Sequence, residues 1–337
     1  MKKIPYLLFL LVIGSACINK KTEDIFEMSF VNLNSKKLFS EKIPIYSGEK
    51  HFNYLFSMNY KDSLLFIGDK SAKHCMKIFD LEKNKLRNFS EIGKGVHEIT
   101  APVAEVSVDY KNNELYVGDD FKCYVYAIDK LRKEQDIPER TISLKYENDF
   151  RFMYYTFAAN GYIVGSSIES PCAVLNLNTR VLRTKSKYKT NSRIEQGKTY
   201  SHPILNKVVR EQIRSGVLEF VSYGEAKIEF TKKTWWEYDG GEQLKKHKEY
   251  RKPFIDISVG EHFIYGLYSG QIYKGNDVLG FSKSNKIFVL DWEGNPIKKY
   301  LLDTDVRCIA LDGKNNILYA GAEDEEGELS IVKFNLL

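Results

Sequence analysis

Basic or ionisable side chains recur about every fifty residues in this chain, at His51, Arg151, His202, Lys252 and Arg307, with Ala101 in the one remaining place. If these positions converge on one mouth of low dielectric, they attract an anion, because a cleft lined by one sign of charge focuses its field. Ordinary polar strand ends facing water are the plainer reading of the same residues. The stretch "KKTWWEYDGG" carries two of the three tryptophans, Trp235 and Trp236. On a strand they point to opposite faces, so one ring is available to stack on a sugar or a partner surface; the alternative is that both pack between repeats. Cys17 is a third reactive position, placed to be acylated by the segment that precedes it.

Other chemistry is not signalled. The histidines, which also include His74, His97, His247 and His262, show no paired ligand spacing. The acidic run "AEDEEGE" lacks the spaced oxygen ligands of a calcium loop and reads as a solvated hairpin tip. No G-x-S-x-G elbow is present. The expectation is therefore no catalytic residue, no metal and no cofactor. A catalytic site assembled from scattered loops leaves no local pattern, so an enzyme of the lactonase, lyase or hydrolase type with its site at the mouth stands as the alternative.

Residues 1–16 form a secretory signal: Lys2 and Lys3, an apolar run from Ile4 to Ile13, then Gly14, Ser15 and Ala16 before Cys17. The apolar run is too short to span a bilayer, which needs about 20 residues. Gly14 stands where a lipoprotein signal usually has an aliphatic residue, which leaves ordinary cleavage or a signal anchor open. The formal charge of +5 falls to +3 without Lys2 and Lys3, and so weak a charge gives no electrostatic footprint for nucleic acid. Residues 17–24 read as a tether and 25–337 as the folded unit.

The elements that must position these residues are repeats. A short apolar strand ending in glycine recurs at Gly68, Gly118, Gly165, Gly266 and Gly321, at intervals of 50, 47, 101 and 55 residues. The double interval places a missing copy near 215–225, in "VLEFVSYGEAKIEF". The turn in "DYKNNELYVGDD" returns as "DGKNNILYAGAED", and such a turn closes a hairpin. Four antiparallel strands in about fifty residues, repeated, describe an all-β, six-bladed β-propeller. The last repeat ends at its third strand, and residues 25–45 are expected to supply the fourth and close the ring. Cys75, Cys123 and Cys172 fall near the start of the third strand in consecutive blades. That spacing exceeds the ~7 Å Cα limit of a disulfide, so these and Cys308 are expected to be free, packed thiols.

The lipobox-like "IGSAC", the strand "LYVGDD" followed by "VYAID", and the linker "SEIGKGVHEITAPVAEVSVDY" resemble lipoproteins of Bacteroides and relatives that carry a TolB-like six-bladed propeller. Gly93, Gly95, Glu98 and Pro102 match the linker of that group, whereas Val96 and Ile99 depart from it. The resemblance implies fold and export, and no catalytic residue carries over from it. The function expected is that of a non-enzymatic cell-envelope lipoprotein, anchored through Cys17 in the outer membrane and facing the periplasm, with surface display as the alternative. Its propeller face would bind a protein partner or an envelope glycan.

Overall fold

The computed structural model describes residues 30, 33–45, 52–71, 73–100, 105–119, 121–144, 150–167, 170–184, 197–213, 217–225, 227–234, 249–274 and 283–337, the side chains of 105, 232–234, 249–253 and 272–274 excepted. It is an all-β propeller with four-stranded antiparallel blades. After β1 (Ser35–Leu38) and β2 (Glu41–Lys42), the first blade is β3 (Leu55–Lys61), β4 (Leu64–Asp69), β5 (His74–Asp80) and β6 (Lys85–Glu91). The second is β7 (Glu105–Asp109), β8 (Glu114–Gly118), β9 (Lys122–Ala127) and β10 (Arg140–Ser143), with the short helix α1 (Ile128–Arg132) inserted before β10. The third is β11 (Phe152–Ala158), β12 (Tyr162–Ser167), β13 (Ala173–Asn176) and β14 (Leu182–Thr184). The fourth is β15 (Gly197–Ser201), β16 (Lys207–Gln212), β17 (Val217–Tyr223) and β18 (Ile228–Thr234).

The remaining strands are β19 (Glu249–Val259), β20 (Phe263–Lys274), β21 (Ser284–Asp291), β22 (Pro296–Asp312), β23 (Ile317–Glu323) and β24 (Leu329–Asn335). They form one continuous sheet because β22 changes partners along its length. Residues 296–301 pair with β21, residues 308–312 with β23, and Val306 with both. Two N-terminal strands join this sheet. β1 lies parallel to β22, Ser35 opposite Lys299, and β2 lies antiparallel to β24, Glu41 opposite Lys333.

Each blade is apolar on both faces, so its stability comes from its neighbours. Among the described residues six apolar clusters join the sheets in a closed cycle. Leu64 and Ile78 of the first blade meet Leu115 and Tyr126 of the second. Tyr116 and Val125 then meet Phe157 and Ile163, and Val164 and Val174 meet Val208 and Val221. Leu218 and Phe220 meet Phe254 and Phe288, Leu267 and Val289 meet Ile309 and Ala320, and Tyr319 and Ile331 return to Leu55 and Ile67.

The recurring glycines sit on the second strand of their blades, where side chains of inner strands fill the space a Cβ would take, Phe56 at Gly68, Tyr155 at Gly118 and Phe254 at Gly266. At Gly165 an added Cβ would lie 2.6 Å from Tyr155 Cβ and closer still to the Tyr154 carbonyl oxygen, beside a register shift in β11. Backbone cannot yield there, so Gly165→Ala is expected to cost about 2–3 kcal/mol, the scale of overpacking. Gly224 has open space and no positive φ, and Gly224→Ala should fall within about 0.5 kcal/mol of the parent or above it. Urea midpoints of the two variants measure the contrast, and equal losses would contradict this account.

Cys75, Cys123, Cys172 and Cys308 are free and buried, at the places the repeat anticipated. Burial pushes the Cys75, Cys123 and Cys308 thiols up from their ordinary range. The acidic run is the β23–β24 hairpin tip, where Glu328 N and Gly327 N donate to Asp324 and Gly327 adopts φ +80°.

Candidate functional site

The repeated turn explains how strand ends are held. Asp109 Oδ1 accepts the backbone N–H groups of Lys111 and Asn112 at 3.0 Å, and Asn112 Nδ2 donates to Asp109 Oδ2. Asn113 takes φ 56°. At the second occurrence Asp312 accepts from Asn315 N and Asn315 Nδ2, and Asn316 takes φ 54°. Asn tolerates that left-handed backbone better than most residues.

His202 occupies the same place in the fourth blade. Its Nδ1 accepts from Ile204 N and Leu205 N at 3.0 Å, as Asp109 does from the residues two and three further on. Its Nε2 lies 3.1 Å from the Glu261 carbonyl, and its ring packs 4.7 Å from Trp292. An Nδ1 that accepts two N–H groups fixes the neutral tautomer protonated at Nε2. Burial, with Lys207 and His262 nearby, pulls its pKa below the ordinary value, against the raising effect of Glu261.

This changes two sequence expectations. The missing copy of the glycine strand is β16 at Lys207–Gln212, whereas residues 217–223 are the third strand of their blade. His202 therefore follows an inner strand instead of opening one. The inner strands run the same way, since Ser107 Oγ accepts Phe157 N and Ser201 Oγ donates to Phe157 O. His202 thus lies on the rim opposite Arg151, and it is a buried turn cap with no charge to offer an anion.

A depressed His pKa carries a sign. Neutral His202 is favoured in the folded state, so its contribution is full above the unfolded value near 6.5 and is lost as pH falls towards the folded value. Stability measured by urea midpoint should drop on acidification below about pH 6.5. In His202→Asp, which restores the acceptor used at Asp109, that part of the slope should vanish; an unchanged slope would show that His202 is not its source.

The other rim, where inner strands begin, carries cations on aromatic rings. Lys122 Nζ lies 4.8 Å from the Tyr124 ring centroid, the Arg151 guanidinium 5.4 Å from Phe121, and that of Arg307 5.9 Å from Tyr54. Arg151 is exposed, as is Phe121 at 40% and Met153 at 39%. Arg307 is held differently: its Nε donates to Glu323 Oε2 at 2.6 Å and its second nitrogen pairs with the same carboxylate. Lys252 is opposite Gln271 in the β19–β20 pairing, and its side chain lies outside the described residues. His51, Trp235, Trp236 and Cys17 lie outside them altogether. Of the expected set the structure thus places Arg151 and Arg307 at inner-strand starts and His202 away from them.

Carboxylates on this rim are structural. Asp69 Oδ1 accepts Asn53 N at 2.8 Å and Tyr54 N at 2.7 Å. Asp119 accepts Thr100 Oγ1, Thr100 N, Phe121 N and Lys122 N. Burial raises the Asp119 pKa, and these hydrogen bonds outweigh it and hold the carboxyl below its ordinary value. Among the described residues no group of three or more His, Cys, Asp or Glu is arranged to hold a metal, and no helix is long and apolar enough to cross a membrane.

A family model described as TolB-like 6-blade propeller-like matches residues 33–314. The chain belongs to that family. Among solved structures this TolB-like propeller is similar to U3-55K, with TM-score 0.51 and 9% identity over 88% of this chain and 98% of that one. The RRP9 WD40 repeats match with TM-score 0.50 and 11% identity over 88% and 98%. A structural genomics protein of unknown function from Bacteroides thetaiotaomicron VPI-5482 matches with TM-score 0.51 and 10% identity over 87% and 71%. At these identities the likeness is one of fold. No curated protein matches the chain. Of the linker residues that carry the resemblance, Glu98 Oε2 accepts Gly95 N at 2.6 Å and Gly93 N donates to Ile99 O, while Pro102 lies outside the described residues of this TolB-like propeller.

Sequence reasoning missed Phe121, Tyr54 and Tyr124 as ring partners of the cations. The pairing of Phe121 with Arg151 spans two blades, and no local spacing encodes it.

Proposed function

We propose that this TolB-like propeller is a non-enzymatic cell-envelope lipoprotein that binds an anionic glycan on the rim where its inner strands begin. In this reading Cys17 carries the acyl anchor in the outer membrane, and residues 17–24 tether the ring on the periplasmic side. The N-terminal strands complete a six-bladed ring, with β2 as the outer strand of the sixth blade.

The observation that carries the reading is the Arg151 guanidinium 5.4 Å from the Phe121 ring centroid, both residues exposed on one rim. An aromatic ring offers a face to a sugar and a guanidinium pairs with its carboxylate. The polar groups of the strand ends support a binding role over catalysis, since Asp69 Oδ1, Asp119 and His202 Nδ1 accept backbone N–H groups.

Calorimetry of the soluble chain with oligogalacturonate in low salt tests it. Affinity should fall with added salt as exposed charges are screened. Arg151→Gln combined with Phe121→Ala should weaken binding by about 1–3 kcal/mol, the scale of a charge-assisted hydrogen bond and a stacked ring. Absence of binding, or equal binding by the variant, would reject the glycan site, and a protein ligand would then have to be sought on another face.

A further inference from the structure

The turn between the third and fourth strands is written twice with the same geometry, as "DLEKNKLR" at 80–87 and "NLNTRVLR" at 176–183. Asp80 Oδ1 accepts Glu82 N and Lys83 N; Asn176 Oδ1 accepts Asn178 N and Thr179 N. Asn84 and Arg180 both take positive φ, at 52° and 58°. Arg87 stands opposite Ile78, and Arg183 stands opposite Val174. The outer flanks of the first and third blades therefore share one turn geometry and carry an arginine at the same register, each facing the next blade.

What fills the two slots differs. In the first blade the insert that includes α1 crosses from the second blade, and Leu131 packs with Leu64 and Ile78. Arg87 donates to the Leu131 carbonyl at 2.9 Å and pairs with Asp136, while Lys85 pairs with Glu134 at 2.7 Å. A void of only about 10 Å³ remains. The fourth blade offers no such insert to the third, because β17 and β18 are joined by residues 224–227 alone. Among the described residues the slot there stays open, with about 160 Å³ lined by Tyr162, Val174, Val181 and Arg183 and, from the fourth blade, by Gly224 and Glu225. Arg183 is exposed and enters no ion pair among the described residues, and Val181 is 46% exposed.

We propose that the open slot between the third and fourth blades docks a short peptide of a partner protein. The peptide would set an aliphatic side chain against Val174 and Val181 and present a backbone carbonyl and a carboxylate to Arg183. The chain's own insert is the template: its Leu131 and Asp136 do this at Arg87. Two differences adjust the ligand. Lys85 becomes Val181 and Lys83 becomes Thr179, so the peptide needs one acidic residue, at the Asp136 position, and can be apolar where the insert has Glu134. The inference is independent of the rim site, which lies elsewhere on the ring.

The probe is a fluorescein-labelled peptide copied from residues 128–136, IDKLRKEQD, titrated into the intact soluble chain and followed by anisotropy. Saturable binding below about 1 mM is expected, the affinity left to a single apolar anchor with one charged pair. Arg183→Glu and Val181→Asp should each reduce it at least tenfold, and the peptide carrying Leu131→Asp should not bind. Both replaced residues are exposed, and unchanged urea midpoints would confirm that the variants fold. No binding by the parent protein, or binding unaffected by Arg183→Glu, would overturn the proposal. Sedimentation of the chain alone provides the second arm: a dimer that Arg183→Glu dissociates would show a second copy in the slot and would equally overturn the partner peptide.

Discussion

Deletion of residues 25–45 is expected to abolish the stable ring, whereas deletion of residues 18–23 should leave the denaturation midpoint unchanged. The longer deletion removes β1 from β22 and β2 from β24, together with the hydrogen bond from Ile43 N to Ile331 O. It also removes Leu38, buried in the cluster of the continuous sheet, and Phe30, stacked 4.4 Å from Phe288. Truncating a buried Leu costs about 2–5 kcal/mol and a buried Phe about 3–5. The two together approach the 5–15 kcal/mol net stability of a typical domain. The bare β24 edge would in addition template aggregation. Urea denaturation with sedimentation measures both effects, and Phe30→Ala is the graded version, expected to lose about 3–5 kcal/mol. A deletion variant with parental midpoint and solubility would show that the N-terminal strands decorate the sheet without supporting it.

The second large effect is expected inside the fourth blade. Arg210 and Glu219 are wholly buried there, at 0% and 2% exposure, with Arg210 Nε donating to Glu219 Oε2 at 2.8 Å and Gln212 Nε2 to Oε1 at 3.0 Å. Glu219→Leu takes away the buried carboxylate shared by Arg210 Nε and Gln212 Nε2 and should cost about 3–5 kcal/mol. Replacing both, with Arg210→Met and Glu219→Leu, should return most of that loss, because the desolvation of two charges disappears together. A double-mutant cycle of urea midpoints reads the coupling. If the two single losses simply add, the pair is not a coupled ionic unit.

The fourth blade is also where the repeat was hardest to read. Aligned on its turn, "SHPILNKVVREQ" corresponds to "VDYKNNELYVGD", with His202 in place of Asp109 and Glu211 in place of Gly118. The histidine meets the same two N–H groups as the aspartate, so the geometry survives a change of residue type. Glu211 stands where other blades need glycine, while the opposite strand begins with Gly197, at which a Cβ would overlap the Glu211 backbone. Its carboxylate reaches Phe254 N in the next blade at 3.2 Å. A search for glycine at fixed spacing could not find this copy, since the small residue sits on the facing strand. The basic positions were legible as a period, but the rim each one occupies was not. One strand of difference in register places His202 at the end of its inner strand, on the side of the ring opposite Arg151.

The sequence by itself determined the hairpins, the free cysteines and the propeller class. Turns are closed by contacts between residues two or three apart, as at Asp109 and Asp312, and a periodic run of such units has few ways to bury both faces of every sheet. The tertiary structure alone decided which cations share a rim, that Arg151 rests on Phe121, and that a slot filled by Leu131 in the first blade stands open in the third. Those relations join residues on different blades, where position is set by the packing of whole sheets and not by distance along the chain.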